Sequence, residues 1–177
     1  PARTGGDLFR IACGILDDIQ TRFRQADASS RLVLASAADE EAVQQWIAEQ
    51  FDFRRNERFH VHREVEVANK KQPDILLSSA IAAVEVAIEV KHGDKNWTVR
   101  QLQNALRTQL AADYLRPGNR RHGILVITNH RLRTWRDPET KKMLDFGQLL
   151  ERLQRIAATL QRKVACLRSF YRHLRRQ

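Results

Sequence analysis

Ala83-Val84-Glu85-Val86-Ala87-Ile88-Glu89-Val90-Lys91 is the stretch that decides how this chain folds. Its period is two. Val84, Val86, Ile88 and Val90 face one way, and Glu85, Ala87, Glu89 and Lys91 face the other. Such alternation predicts a strand with one side in a core. It also sets Glu89 and Lys91 on one strand face, opposite the valines. Fourteen residues separate Glu89 from Pro73-Asp74, which opens a shorter apolar stretch ending at Leu77.

Upstream, Val61, Arg63, Val65 and Val67 alternate with His62, Glu64 and Glu66 from Phe59 onward, and Asn69-Lys70-Lys71-Gln72 reads as a turn. Three strands in succession predict an antiparallel meander. Before them a helix is expected over Ala37–Phe51, capped by Ser36 with Asp39 three residues on. Its apolar stripe is Val43, Trp46, Ile47 and Phe51. Glu40 precedes Val43 by three and lies beside that stripe, whereas Glu41 points nearly the opposite way. An earlier amphipathic helix is expected over residues 7–25, carrying Leu8, Ile11, Ala12, Ile15, Ile19 and Phe23, with Asp27-Ala28-Ser29-Ser30 as its break.

Downstream, Thr98 and Gln101 have capping-box spacing, and Leu102, Leu106 and Leu110 form the stripe of the helix they open. Gln109 sits at that stripe's edge, and Pro117-Gly118 ends the helix. Gly123–Thr128 is wholly apolar and predicts a central strand. From about Phe146, Leu149, Leu153, Ile156, Leu160, Val164 and Leu167 recur at helical spacing, which predicts a basic C-terminal helix over residues 145–177. Val164–Tyr171 reads equally as a strand. The order helix, three strands, helix, strand, helix predicts an α/β fold on a mixed sheet. It forms a single domain, with an N-terminal helical extension over residues 1–30 and a core over residues 36–128.

The 177 residues carry 31 Lys plus Arg against 21 Asp plus Glu, a formal charge of +10. That surplus points to a polyanion, an acidic surface or an acidic protein as partner. Cys13 and Cys166 are far apart and lack metal-ligand spacing, and there is no signal-peptide pattern or apolar run of membrane length. A reduced, cytoplasmic setting without a membrane partner is expected. The chain starts at Pro1 rather than Met, so further domains of a longer protein are expected partners.

Asp74 and Glu89 on neighbouring strands would suit Mg²⁺, which prefers oxygen ligands and often takes one or two carboxylates. The Val90 carbonyl is a candidate third ligand, and Lys91 projects from the face of Glu89. Bound Mg²⁺ acidifies water and neutralises phosphate charge, and an ammonium group orients or stabilises the attack.

Pro73, Asp74, Glu89 and Lys91, in this order of elements, resemble the PD-(D/E)xK phosphodiesterase superfamily of restriction-endonuclease-like nucleases. The resemblance covers about residues 36–128. It implies an αβββαβ core flanked by helices, Asp74 and Glu89 as metal ligands for Mg²⁺ (or Mn²⁺), and Lys91 as the group assisting water. It also implies a glutamate from the first core helix, here Glu40, and a helix glutamine near the site, here Gln109. The run Gln109-Leu110-Ala111-Ala112-Asp113-Tyr114-Leu115 before an apolar strand resembles nuclease domains of prokaryotic defence proteins. The implied activity is metal-dependent hydrolysis of double-stranded DNA, with a homodimer as a candidate assembly. The alternative is a non-catalytic nucleic-acid-binding or assembly module of the same fold.

Arg116, Arg120, Arg121, Arg131, Arg133 and Arg136 occur with no acid among them, and the helix after Lys91 adds Arg100 and Arg107. Of these, Arg100, Arg107, Arg120, Arg121, Arg131 and Arg133 are the expected phosphate contacts. Trp97 and Trp135 are candidates either for stacking on bases or for packing. Glu85 and His92 are expected to be structural.

Overall fold

The computed structural model describes residues 2–24, 36–37, 39–63, 72–93, 95–115, 118–129, 133–160 and 164–171, with backbone alone for 24 and 164–171. The elements are α1 (Gly5–Arg24), α2 (Glu40–Phe53), β1 (Phe59–Arg63), β2 (Ile75–Ser79), β3 (Glu85–His92) and α3 (Val99–Asn104). A π-helix (Ala105–Tyr114) continues α3, followed by β4 (Arg120–Asn129), β5 (Trp135–Arg136), β6 (Met143–Leu144), α4 (Phe146–Thr159) and β7 (Val164–Tyr171).

One mixed sheet of five strands runs β1-β2-β3-β4-β7. The meander β1-β2-β3 is antiparallel, and β3, β4 and β7 run parallel. The alternation of β3 divides the core in two. Val86, Ile88 and Val90 join Ile75, Leu77, Ile124 and Val126 beneath α1 and α2. Ala87, Leu125 and Ile127 face α3, the π-helix and α4 instead. Each fully buried Ile or Val in these layers contributes roughly 1.5–3 kcal/mol of transfer free energy.

Local chemistry sets the helix starts. Asp39 caps α2, its Oδ1 accepting from the Ala42 amide at 2.9 Å. The cap expected at Ser36 therefore lies three residues further on, and the helix begins at Glu40. Thr98 and Gln101 form the expected capping box. Asp145 and Gln148 form a second one at α4.

Two further expectations change. The long C-terminal helix ends at Thr159, and Val164–Tyr171 takes the strand alternative, pairing with β4. The helix after Thr98 does not stay α-helical, because ten of its residues adopt π-helical hydrogen bonding. Val65, Val67, the turn at 69–71, Arg116, Pro117 and the side chains of the basic C-terminal stretch beyond Leu160 lie outside the described residues. Among those described, no helix is long and apolar enough to cross a membrane.

Candidate active site

The β2–β3 register pairs Ile75 with Ile88. One further step sets Asp74 opposite Glu89, and opposed residues of an antiparallel pair share a face with Cβ atoms about 4.5–5.5 Å apart. Asp74 is fixed there by its own backbone partner, the Val90 amide, which donates to Oδ2 at 2.6 Å. The site lies toward the carboxyl end of β3, beside the parallel strand β4, where open α/β sheets commonly hold ligands.

Glu89 is almost wholly buried, with 1% of its surface exposed. Its Oε1 pairs with Lys91 Nζ at 2.7 Å. Among the described residues its Oε2 has no hydrogen-bond partner. Lys91 is itself 5% exposed. Its ammonium reaches Glu40 Oε1 at 3.4 Å and lies 4.9 Å from the centre of the Trp97 ring. Glu40 spans from α2 to the end of β3: its Oε2 accepts from the His92 amide at 3.0 Å and from Trp97 Nε1 at 3.2 Å. That network gives the acidic residue beside an apolar helix stripe its purpose.

Burial pushes the Asp74 carboxyl up to about 7, and the nearby Glu89 charge adds to the rise against the Val90 hydrogen bond and the Lys91 charge. Burial also raises the pKa of Glu89, against the pull of Lys91. Burial alone would lower Lys91, yet its pKa is raised, because Glu89, Glu40 and Asp74 together outweigh desolvation. Tyr114, from the end of the π-helix, completes the surroundings. Burial and the charges of Glu89 and Asp74 raise its hydroxyl pKa.

Among the described residues, no group of three or more His, Cys, Asp or Glu is arranged to hold a metal ion. The donor set is the pair Asp74 and Glu89. The set fits a small hard cation on three counts: two carboxylates close enough that the Glu89 charge raises the pKa of Asp74, one buried carboxylate oxygen without a partner among the described residues, and a nearby strand backbone. Glu40 is occupied by Lys91, His92 and Trp97 and is not part of the ligand pair.

The sequence missed Tyr114. Along an α-helix, positions four apart drift by about 40° each, so the stripe Leu102, Leu106, Leu110 would carry Tyr114 off its face. The i→i+5 bonding of a π-helix widens the turn to about 4.4 residues and keeps Tyr114 on the buried side with Ala105, Leu106 and Leu110. The same widening leaves Gln109 half-buried, and among the described residues it makes no hydrogen bond to Asp74, Glu89 or Lys91.

Two of the expected phosphate contacts are committed elsewhere. Arg120 donates Nε and Nη2 to Glu85 Oε2 at 2.9 and 2.7 Å, at the end of β3 away from Lys91. Arg133 donates Nη1 to the carbonyl of Gly93 at 2.8 Å and to that of Lys95, with its guanidinium 4.6 Å from the Trp135 ring centre. Trp135 is buried and packs on Phe146. Arg100, Arg107 and Arg121 are exposed, and Arg131 lies outside the described residues. Comparison of the chain with family models, with curated proteins and with solved structures gives no match.

Proposed function

We propose that this chain is a metal-dependent phosphodiesterase that hydrolyses nucleic acid, with double-stranded DNA as the substrate. The observation that carries the reading is the placement of Asp74 opposite Glu89, with Lys91 bonded to Glu89 at 2.7 Å and both side chains nearly buried. Asp74, Glu89 and the Val90 carbonyl would hold Mg²⁺, or Mn²⁺ in its place. The cation would neutralise phosphate charge and acidify a bound water. Lys91 supplies a fixed positive charge where the pentavalent phosphoryl group becomes more anionic, and Glu40 holds that ammonium in place. Exposed Arg100, Arg107 and Arg121 supply phosphate contacts without sequence preference.

The order α2, β1-β2-β3, α3 with its π-helix, then β4, supports the restriction-endonuclease-like reading of the core. Under it the chain acts in the cytoplasm as the effector domain of a prokaryotic defence protein, and a homodimer would present two sites to two strands. A second reading has its own observation. Glu89 and Lys91 are 1% and 5% exposed, the burial expected of a structural ion pair in a non-catalytic nucleic-acid-binding or assembly module.

Plasmid DNA incubated with the protein in Mg²⁺ or EDTA separates the two. Cleavage that EDTA stops, and that Lys91→Ala and Asp74→Ala each lower by about a hundredfold or more, supports the nuclease. Binding with steep salt dependence and no cleavage supports the module. Cleavage that survives EDTA or both substitutions overturns the site.

A further inference from the structure

The segment between β3 and α3 crosses the candidate site, and its construction exceeds what a connection needs. Its start is pressed against the neighbouring strand: a Cβ at Gly93 would lie 1.8 Å from the Thr128 carbonyl oxygen, so no larger residue fits there. Its middle turns through bonds from the Lys95 amide to the His92 carbonyl at 3.1 Å and from the Trp97 amide to the Lys95 carbonyl at 2.7 Å. Arg133 clasps the segment from outside through the Gly93 and Lys95 carbonyls. Its far end is the Thr98–Gln101 capping box. Among the described residues between Gly93 and Thr98, the side chain directed inward is Trp97, half-buried, with its ring toward Lys91 and its Nε1–H on Glu40.

We infer that Trp97 is a positioning residue for Lys91, acting through two contacts at once. An ammonium within about 6 Å of an indole face is attracted to it, and more strongly when desolvated. Lys91 lies at 4.9 Å and is nearly buried. The second contact works through Glu40. Its Oε2 is held by Trp97 Nε1 and the His92 amide, which leaves Oε1 turned to Lys91. Three sides of the ammonium are thereby set: Glu89, Glu40 and the indole face. This fixes where the positive charge stands relative to the carboxylate pair. Arg133, expected from sequence to grip phosphate, instead holds the segment that carries Trp97.

The catalytic half of the inference rests on the nuclease reading, and the geometric half does not. The test therefore has two readouts. Lysine-selective ¹H–¹⁵N spectra, with the Lys91 ammonium identified by its loss in Lys91→Arg, report the geometry. Ring current from the indole shifts that signal upfield, and Trp97→Leu removes the shift and speeds its exchange with water by about tenfold, while Trp97→Phe retains most of both. In cleavage assays, Trp97→Leu lowers kcat by about tenfold with KM nearly unchanged, Trp97→Phe recovers most of the loss, and Trp97→Leu adds nothing in a Lys91→Ala background. A Lys91 signal that is the same in Trp97→Leu, or a Trp97→Leu protein that cuts at the wild-type rate, overturns the inference. A wild-type protein that never cuts overturns the nuclease reading and leaves the spectra to decide Trp97. If Trp97→Leu does not fold, Trp97→Met, which also lacks the ring, carries the test with the same expected losses.

Discussion

Asp74 is the residue whose protonation should be most visible from outside the molecule. Its ordinary value is 3.8, and burial with the Glu89 charge raises it to about 7 in the folded protein. Between those two values the folded protein keeps a proton that the unfolded chain has released. The sign follows: this contribution to stability falls as pH rises from about 4 to about 7. Asp74→Asn should flatten that slope in metal-free urea melts and leave the variant more stable than wild type at pH 8. Mg²⁺ should act in the reverse sense. At the proposed metal site it would bind the ionised pair, so it should raise Tm more at pH 8 than at pH 6, and Asp74→Asn or EDTA should abolish the increment. The arginines divide at the same scale. Arg107→Ala should lower the slope of log K against log salt for DNA by about 1. Arg120→Ala should leave that slope alone and cost about 1–3 kcal/mol in chemical denaturation, because Glu85 loses its partner.

The π-helix places a tight demand on its neighbours. It lies so close to β4 that a Cβ at Gly123 would stand 2.8 Å from Leu110 Cδ1 and Cγ. Gly123→Ala should therefore cost about 1–3 kcal/mol by overpacking. Leu110→Ala should cost about 2–5 kcal/mol alone. The double variant should be less destabilised than the sum, because the two changes share one space. Urea denaturation of the four proteins checks the cycle. Elements with a plain period were legible before any coordinates. The β3 alternation placed Glu89 and Lys91 on one face, where they pair, and Glu40 was legible as an acid beside the α2 stripe, whereas its contacts at the end of β3 were not. Tyr114 was hidden because a 3.6-residue period misplaces it. Arg120 and Arg133 were misread because an arginine's partner, Glu85 in one case and two backbone carbonyls in the other, is a tertiary fact with no local signature. Val164–Tyr171 carried both patterns at once, and sheet pairing decided between them.

For the molecule as a whole, a charge of +10 should make any DNA complex strongly salt-dependent. The sheet's order of assembly has a different consequence. β4 is apolar, lies inside the sheet, and pairs with β3 on one side and β7 on the other. Its second partner is Val164–Tyr171, encoded some 35 residues after β4 ends at Asn129. On the ribosome, β4 must therefore wait with one row of backbone groups unpaired while α4 is made. An open apolar edge of this kind recruits other strands. A chain stopped after Leu160 should consequently run as a spread of higher aggregates in size-exclusion chromatography with light scattering, where the 177-residue chain runs as one defined species. The last strand would then serve as a built-in chaperone for the fourth, and any delay in its arrival would be a hazard of synthesis.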